Sequence, residues 1–505
     1  MDKFYTGCEK IDLWVTKHKL IQFVCSYDAV AFFYGTFLFL YELKFMRNVV
    51  PIVHPALIIW ASFVSAYNLF VRRQIRNYPR KSIIFAFITL TAISAIINIK
   101  AGFFGNIKEW ILTVLPLFTF FSVCYNKPKE KSEETYLRVL SGGAVVIFIA
   151  SFISLILYIM RYDGYYELFG IKEHIGLSVY DSTNPQSGLL LFGIYCDTNH
   201  AAMYAIAFAG YSLILFNYCK RNKTQKKTLN FLGKIFSVVN FVVQMCYFPL
   251  ANSRGGWLCL FVAVTVTLFF FLWKNKIKKS FSEVAKIILS IALALSLAVV
   301  SLSALLAVRQ GLVGISTIVA KSEASSTANE DSISIPDGSN DSSDSEDKNT
   351  GRDLDKINNF NKPNEVPGAG RLELWEEALK LYTKHPILGT GGENNVYYSK
   401  YYGIGCLLVQ GKAVHSSYLD LLVNYGAVGF LLLISFFIGC LRLVLKNLFN
   451  KEKNISFSYY IVFLMTVMMA GVMCLLSCAF INTTAMYYLL LVFCGFLEPK
   501  RKDVN

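Results

Sequence analysis

Long apolar runs separated by short polar breaks fill most of this chain, and a bilayer core needs roughly 20 apolar residues per helix. Runs of that kind lie at about 20–43, 50–71, 82–99, 109–125, 138–160, 188–218, 230–250, 255–273, 284–308, 417–441, 456–480 and 484–498. They predict an all-α integral membrane protein with about 12 transmembrane helices. The third and last runs are short, and the sixth is long enough to break near Asp197–Asn199. No short apolar stretch precedes a small-residue cleavage site, so the first helix is expected to be an uncleaved anchor. The rhythm fails once, over 309–416, which reads as a large extracytoplasmic loop between an N-terminal bundle (1–308) and C-terminal helices (417–505). Within it, 321–350 holds 9 Ser and 8 acidic residues, too little apolar surface to offset ordering, and is expected to be disordered. Order is expected to resume over 367–416, with a helix from Arg371 to Lys384 that Pro386 stops.

Composition agrees. The 505 residues are 54% hydrophobic and 16% charged, against about 25% charged in soluble domains. That excludes a soluble enzyme, a disordered protein and a coiled coil. Lys and Arg exceed Asp and Glu by 15, but the excess is topological. With a cytoplasmic N-terminus, the inner segments carry 31 basic residues and the short outer loops 7, and the other 11 lie in 309–416. This places both termini in the cytoplasm and sets nucleic acid aside as a partner. The 12 cysteines show no metal or disulfide spacing, and most sit in apolar runs as small hydrophobes.

Few polar residues could carry chemistry. Arg254 stands in Asn252-Ser253-Arg254-Gly255-Gly256, the shortest outer loop. The glycines allow close approach to a phosphate, while the plainer reading is an arginine reaching lipid phosphates. Arg371 and Trp375 are one helical turn apart and share a face; an arginine there is ordinarily a surface residue. His415 lies where the loop meets the next helix, a place where histidine is more often structural than catalytic. Asp197 and His200 could share a face, but without further ligands they make no metal site. Asp353-Leu-Asp355 matches the metal-holding aspartate pair of nucleotide-sugar transferases, yet in its acidic stretch it reads as solvated charge. Glu373 and Glu377 are alternative bases or solvated acids, and His385 reads as a helix-end residue.

Taken in order, these pieces resemble a known family. The Ser-Arg-Gly-Gly loop is followed by a helix pair and a large outer loop. That loop carries Arg371-x-x-x-Trp375, then His385-Pro-Ile-Leu-Gly-Thr-Gly391, then His415-Ser-Ser-Tyr-Leu-Asp-Leu-Leu-Val-Asn-Tyr-Gly426-Ala-Val-Gly429. The pattern is similar to the O-antigen ligase and Wzy-type polysaccharide polymerase family. Two departures stand out: the acidic insert is long, and Ser416 takes the place of a frequent asparagine. The resemblance implies a GT-C-like membrane glycosyltransferase in the cytoplasmic (inner) membrane, acting at its outer face. Its donor would be a glycan on undecaprenyl diphosphate and its acceptor another glycan, with membrane lipid and polysaccharide export machinery as partners. It implies inversion, no cofactor and no metal. By motif position it assigns catalysis to Arg254, Arg371 and His415, and substrate binding to Arg254, Arg371, Trp375 and Asn199. Guanidinium suits a diphosphate and imidazole suits a proton taken at neutral pH. Polymerase is the expected activity, with ligase as the alternative. From another class, a flippase or transporter would show charges near the midplane and repeated halves. Peptidoglycan-building transferases share the layout but rely on an acidic residue in the outer loop.

Overall fold

The computed structural model describes residues 2–46, 49–124, 129–168, 171–178, 190–222, 227–275, 282–327, 369–392, 394–412, 414, 416–449 and 485–498. A polar helix that the runs do not include, α1 (Asp2–Lys17), comes first. The apolar runs then fold as helices: α2 (Lys19–Val24), α3 (Tyr27–Tyr41), α4 (Val50–Ala66), α5 (Lys81–Ile97), α6 (Phe103–Thr119), α7 (Lys129–Ile159), α8 (Thr198–Arg221), α9 (Lys227–Leu250), α10 (Arg254–Asn275) and α11 (Glu283–Thr327). Within the 367–416 part of the loop come α12 (Ala369–Lys384) and α13 (Asn395–Tyr402), and after it α14 (Ser417–Phe449) and α15 (Ala485–Leu497). Among the described residues, seven helices are long and apolar enough to cross a membrane, and α3, α5 and α15 are shorter apolar helices. The run expected at 456–480 lies outside the described residues.

Three local differences from expectation have physical reasons. The first run divides at Cys25–Ser26, because the Ser26 hydroxyl accepts from Ala29 N (3.2 Å) and starts α3 afresh. The sixth run divides near Asp197, as its length implies, with Asp197 capping α8; the difference is that its first part is a strand. That strand, β3 (Leu190–Gly193), pairs antiparallel with β2 (Ile171–Ser178), which pairs with β1 (Asp163–Leu168). Finally, α11 does not end near 308 but continues to Thr327, taking in the first residues of the insert. Arg161 holds it there by donating to the hydroxyls of Ser316 (3.0 Å) and Thr317 (2.8 Å).

The core is aromatic. Tyr34, Phe39, Tyr136, Tyr204, Tyr211 and Tyr488 are fully buried. Helix α15 is apolar all round and sunk among its neighbours, as such a helix must be. Small residues permit the approach of backbones. Ala201, Ala202, Ala205 and Ala209 line α8, and a side chain on Gly35 would collide with Tyr488. Loops assigned by charge to one face touch one another: Lys44 donates to the His174 carbonyl, Leu43 bridges Tyr195, and Tyr398 donates to Asn98 (2.7 Å). Those assigned to the other face do the same through Arg73–Glu9 (3.0 Å), Arg221–Glu133 (2.6 Å) and Arg80–Glu498.

Candidate functional site

The Arg254 loop is set by one hydroxyl. After α9 the chain turns at Asn252, whose φ is +48°, a left-handed conformation that asparagine tolerates. Ser253 then caps α10, its Oγ accepting from Gly256 N (3.0 Å) and donating to Asn199 Oδ1 (2.6 Å). Gly256 suits the turn because a Cβ there would sit 3.1 Å from Ala202 and 3.2 Å from Ser253, tighter than ordinary contact. Arg254 follows as the first residue of α10, with an exposed side chain. Asn199 is held in the first turn of α8 by the Asp197 cap, whose Oδ1 accepts from Asn199 N (2.7 Å) and His200 N (3.2 Å). The structure therefore joins two sequence candidates, Asn199 and the Ser253–Arg254 pair.

A second junction forms across the long loop. The indole of Trp375 donates to the carbonyl of Val414 (3.0 Å), the residue before His415. Arg371 lies one turn earlier on the same helix and is half-buried. His415 itself lies outside the described residues. Ser416 starts α14, its Oγ accepting from Leu419 N (3.5 Å), so the serine that departs from the family pattern does the work of a cap. Leu374, Ala378 and Leu381 bury against Ile404, Leu408, Val414 and Val423, a small core separate from that of the bundle.

Glu377 is part of that unit and is not a solvated acid. It is 4% exposed, and its carboxylate accepts from the amides of Cys406 (2.9 Å), Leu407 (3.2 Å) and Leu408 (2.8 Å). Those bonds commit it to the turn rather than to proton transfer. Glu373, Glu377 and Cys406 place ligand atoms within 4.8 Å of one another, but both Glu377 oxygens already serve amides, a poor start for a metal site. Glu373 is exposed. His385 ends α12 as expected, its Nε2 3.1 Å from Tyr402 Oη and its ring 4.5 Å from that of Tyr398. Burial there lowers its pKa from the usual imidazole value.

The two glycine-bearing motifs form a single clasp. Gly426 adopts φ +64° and breaks α14. A helix would have bonded Ala427 N to the Val423 carbonyl and Val428 N to that of Asn424. Instead Thr390 N and Gly391 N donate to Val423 O (2.9 Å) and Asn424 O (3.0 Å). In turn Ala427 N and Val428 N donate to Pro386 O (2.8 Å) and Ile387 O (3.4 Å). All four backbone groups freed by the break are thus satisfied, as they must be in a helix crossing lipid. Side chains on Gly389 or Gly426 would overlap the opposing backbone. The clasp docks on α5 and α6. Ser94 donates to Leu388 O (2.7 Å), Asn394 to Asn106 Oδ1 (2.6 Å) and Asn106 to Asn98 O (3.0 Å).

One cluster escapes the sequence motifs. Glu42, 7% exposed at the end of α3, accepts from Tyr204 Oη (2.6 Å) and faces His200 Nδ1 (3.1 Å). Its backbone carbonyl accepts from Cys196 N (2.9 Å), which ties the cluster to the approach to α8. The available signal was a single acid closing an apolar run, which reads equally well as a membrane boundary.

Residues 239–434 match the family model described as O-Antigen ligase. That stretch contains Arg254, Arg371, Trp375, the clasp and the position of His415. The match supports the O-antigen ligase/Wzy-type family and a membrane glycosyltransferase activity of that type. No curated protein sequence matches the chain.

Proposed function

Because the O-antigen ligase match covers both arginines and the histidine, we propose that this membrane glycosyltransferase is a repeat-unit polysaccharide polymerase. It moves glycan from an undecaprenyl-diphosphate donor to a glycan acceptor at the outer face of the cytoplasmic membrane. The observation that carries the reading is the bond from Trp375 to Val414. It fastens the helix of Arg371 beside the residue preceding His415, which supports assigning the phosphate-binding cation and the proton acceptor to one site.

In this mechanism Arg254 and Arg371 hold the diphosphate through forked hydrogen bonds. Asn199 fixes the Arg254 turn through Ser253. The Trp375 indole N–H is committed to backbone, so its contact with the sugar would be made through the part of the ring that the small core leaves open. His415 takes the proton from the attacking hydroxyl as the glycosidic bond breaks. The bonding electrons leave with the diphosphate, and the guanidiniums meet the charge that grows on it. Attack opposite the leaving group inverts the anomeric carbon, and the arginines supply the positive charge that a metal would otherwise bring. The description of the matched model favours a second reading, in which a finished glycan is transferred once to lipid A core or another acceptor.

Purified protein and a defined lipid-diphosphate repeat unit test both readings. A ladder of lengthening lipid-linked glycan is expected, whereas a single capped transfer would favour the ligase. His415→Ala should lower the rate by about 10²–10⁴-fold. Full transfer by monodisperse His415→Ala protein would remove the base from the mechanism.

A further inference from the structure

We propose that His200, oriented by Glu42, is a further cationic contact for the donor diphosphate, beside Arg254. This rests on the donor assigned above and adds a binding residue to it. The argument starts from Glu42. Its carboxylate is buried and accepts one hydroxyl, from Tyr204 (2.6 Å). The positively charged partner it has among the described residues is His200, with Nδ1 at 3.1 Å. A carboxylate taken from water needs a countercharge, and an acceptor-only oxygen requires the proton on Nδ1. The pair is balanced when the imidazole carries both protons.

In that state the second proton is on Nε2, on the far side of the ring from Glu42. Nε2 has no hydrogen-bond partner among the described residues, and the side chain keeps 17% of its surface open, against 8% for Glu42. The residue before it in the chain is bonded to the Arg254 turn. Asn199, next to His200, accepts from Ser253, next to Arg254 (2.6 Å). The other charged group acting on the imidazole is Asp197, whose Oδ1 already accepts from the amides of Asn199 and His200. Tyr204, from the same helix, completes the set of titratable groups around it. His200 and Arg254 thus each follow, in the chain, one end of a single hydrogen bond, and a protonated imidazole beside a guanidinium suits two phosphate groups in tandem.

Calorimetric binding of inorganic pyrophosphate to the full-length protein in detergent, from pH 6 to 9, tests this. Ratios between wild type and variant cancel the ligand's own titration. His200→Gln should bind about ten-fold more weakly at low pH, the size of one charge-assisted hydrogen bond, with the ratio falling toward one as the imidazole deprotonates. Glu42→Gln should move that fall to lower pH. Arg254→Gln should weaken binding at every pH, since guanidinium does not titrate in this range. Weakening by Arg254→Gln with no effect of His200→Gln overturns this proposal alone. Failure of wild type to bind pyrophosphate overturns the diphosphate donor and this contact together. An equal loss with glycerol phosphate would assign His200 to lipid headgroups and overturn it too. Should His200→Gln fail to fold, an unshifted pH profile in Glu42→Gln is sufficient to overturn the proposal.

Discussion

Around Arg254 the chain turns abruptly between α9 and α10, and the Ser253 hydroxyl fixes the turn by bonding one helix start to another. Around Arg371 the chain first builds a unit of its own. That unit has a small core, a carboxylate holding three amides, an indole bonded to Val414 and a clasp into α14. The first arginine takes its position from helices that the membrane orients. The second stands on a segment the membrane does not orient, so its position must be specified bond by bond. The contrast explains why the stricter glycine requirements lie in the second region: Gly389, Gly405 and Gly426 each have positive φ and no room for a Cβ.

The comparison can be broken first at Gly426. Gly426→Val places a β-branched residue at φ +64° and against the Ile387 carbonyl, so a loss of about 3 kcal/mol or more is expected. Thermal unfolding and transfer assays check it, and a wild-type melting profile with full activity would show that the clasp is dispensable. Arg371→Lys comes next. It keeps the charge and loses the fork, so kcat/KM should fall on the order of 100-fold in a normally folded protein. Retention of activity would mean that only charge is needed there. Smallest is Ser253→Ala, which deletes a cap and the bond to Asn199. A cost of about 1 kcal/mol and a few-fold rise in donor KM are expected. An effect as large as that of Gly426→Val would erase the distinction between the two regions.

Much of this was legible in the sequence, for reasons that can be named. Apolar length marks the helices, and a period of four residues puts Arg371 and Trp375 on one face. The break at Asp197 was readable because a run that long cannot be one crossing, and aspartate is a good cap. Other features leave weaker traces. The clasp pairs backbone with backbone, so its only marks in the sequence are glycines, which do not say what they meet. Glu377 looked like a solvated acid because its partners are amides of residues far along the chain. Glu42 was missed because a lone acid at the end of an apolar run has no companion in sequence; His200 and Tyr204 reach it only in the fold. The strands over 163–193 are short and carry no long alternation to give them away.

The broken helix also limits how this molecule can move. Swinging the segment that carries α12 away from α14 would leave two amides and two carbonyls without partners, each at a cost of several kcal/mol where lipid surrounds the helix. The segment behind Arg371 is therefore a fixed wall and not a lid. Under the proposed function the glycan would slide past this wall during turnover, and the rate of the cycle would then follow the length and stiffness of the sugar chain more closely than any opening of the protein.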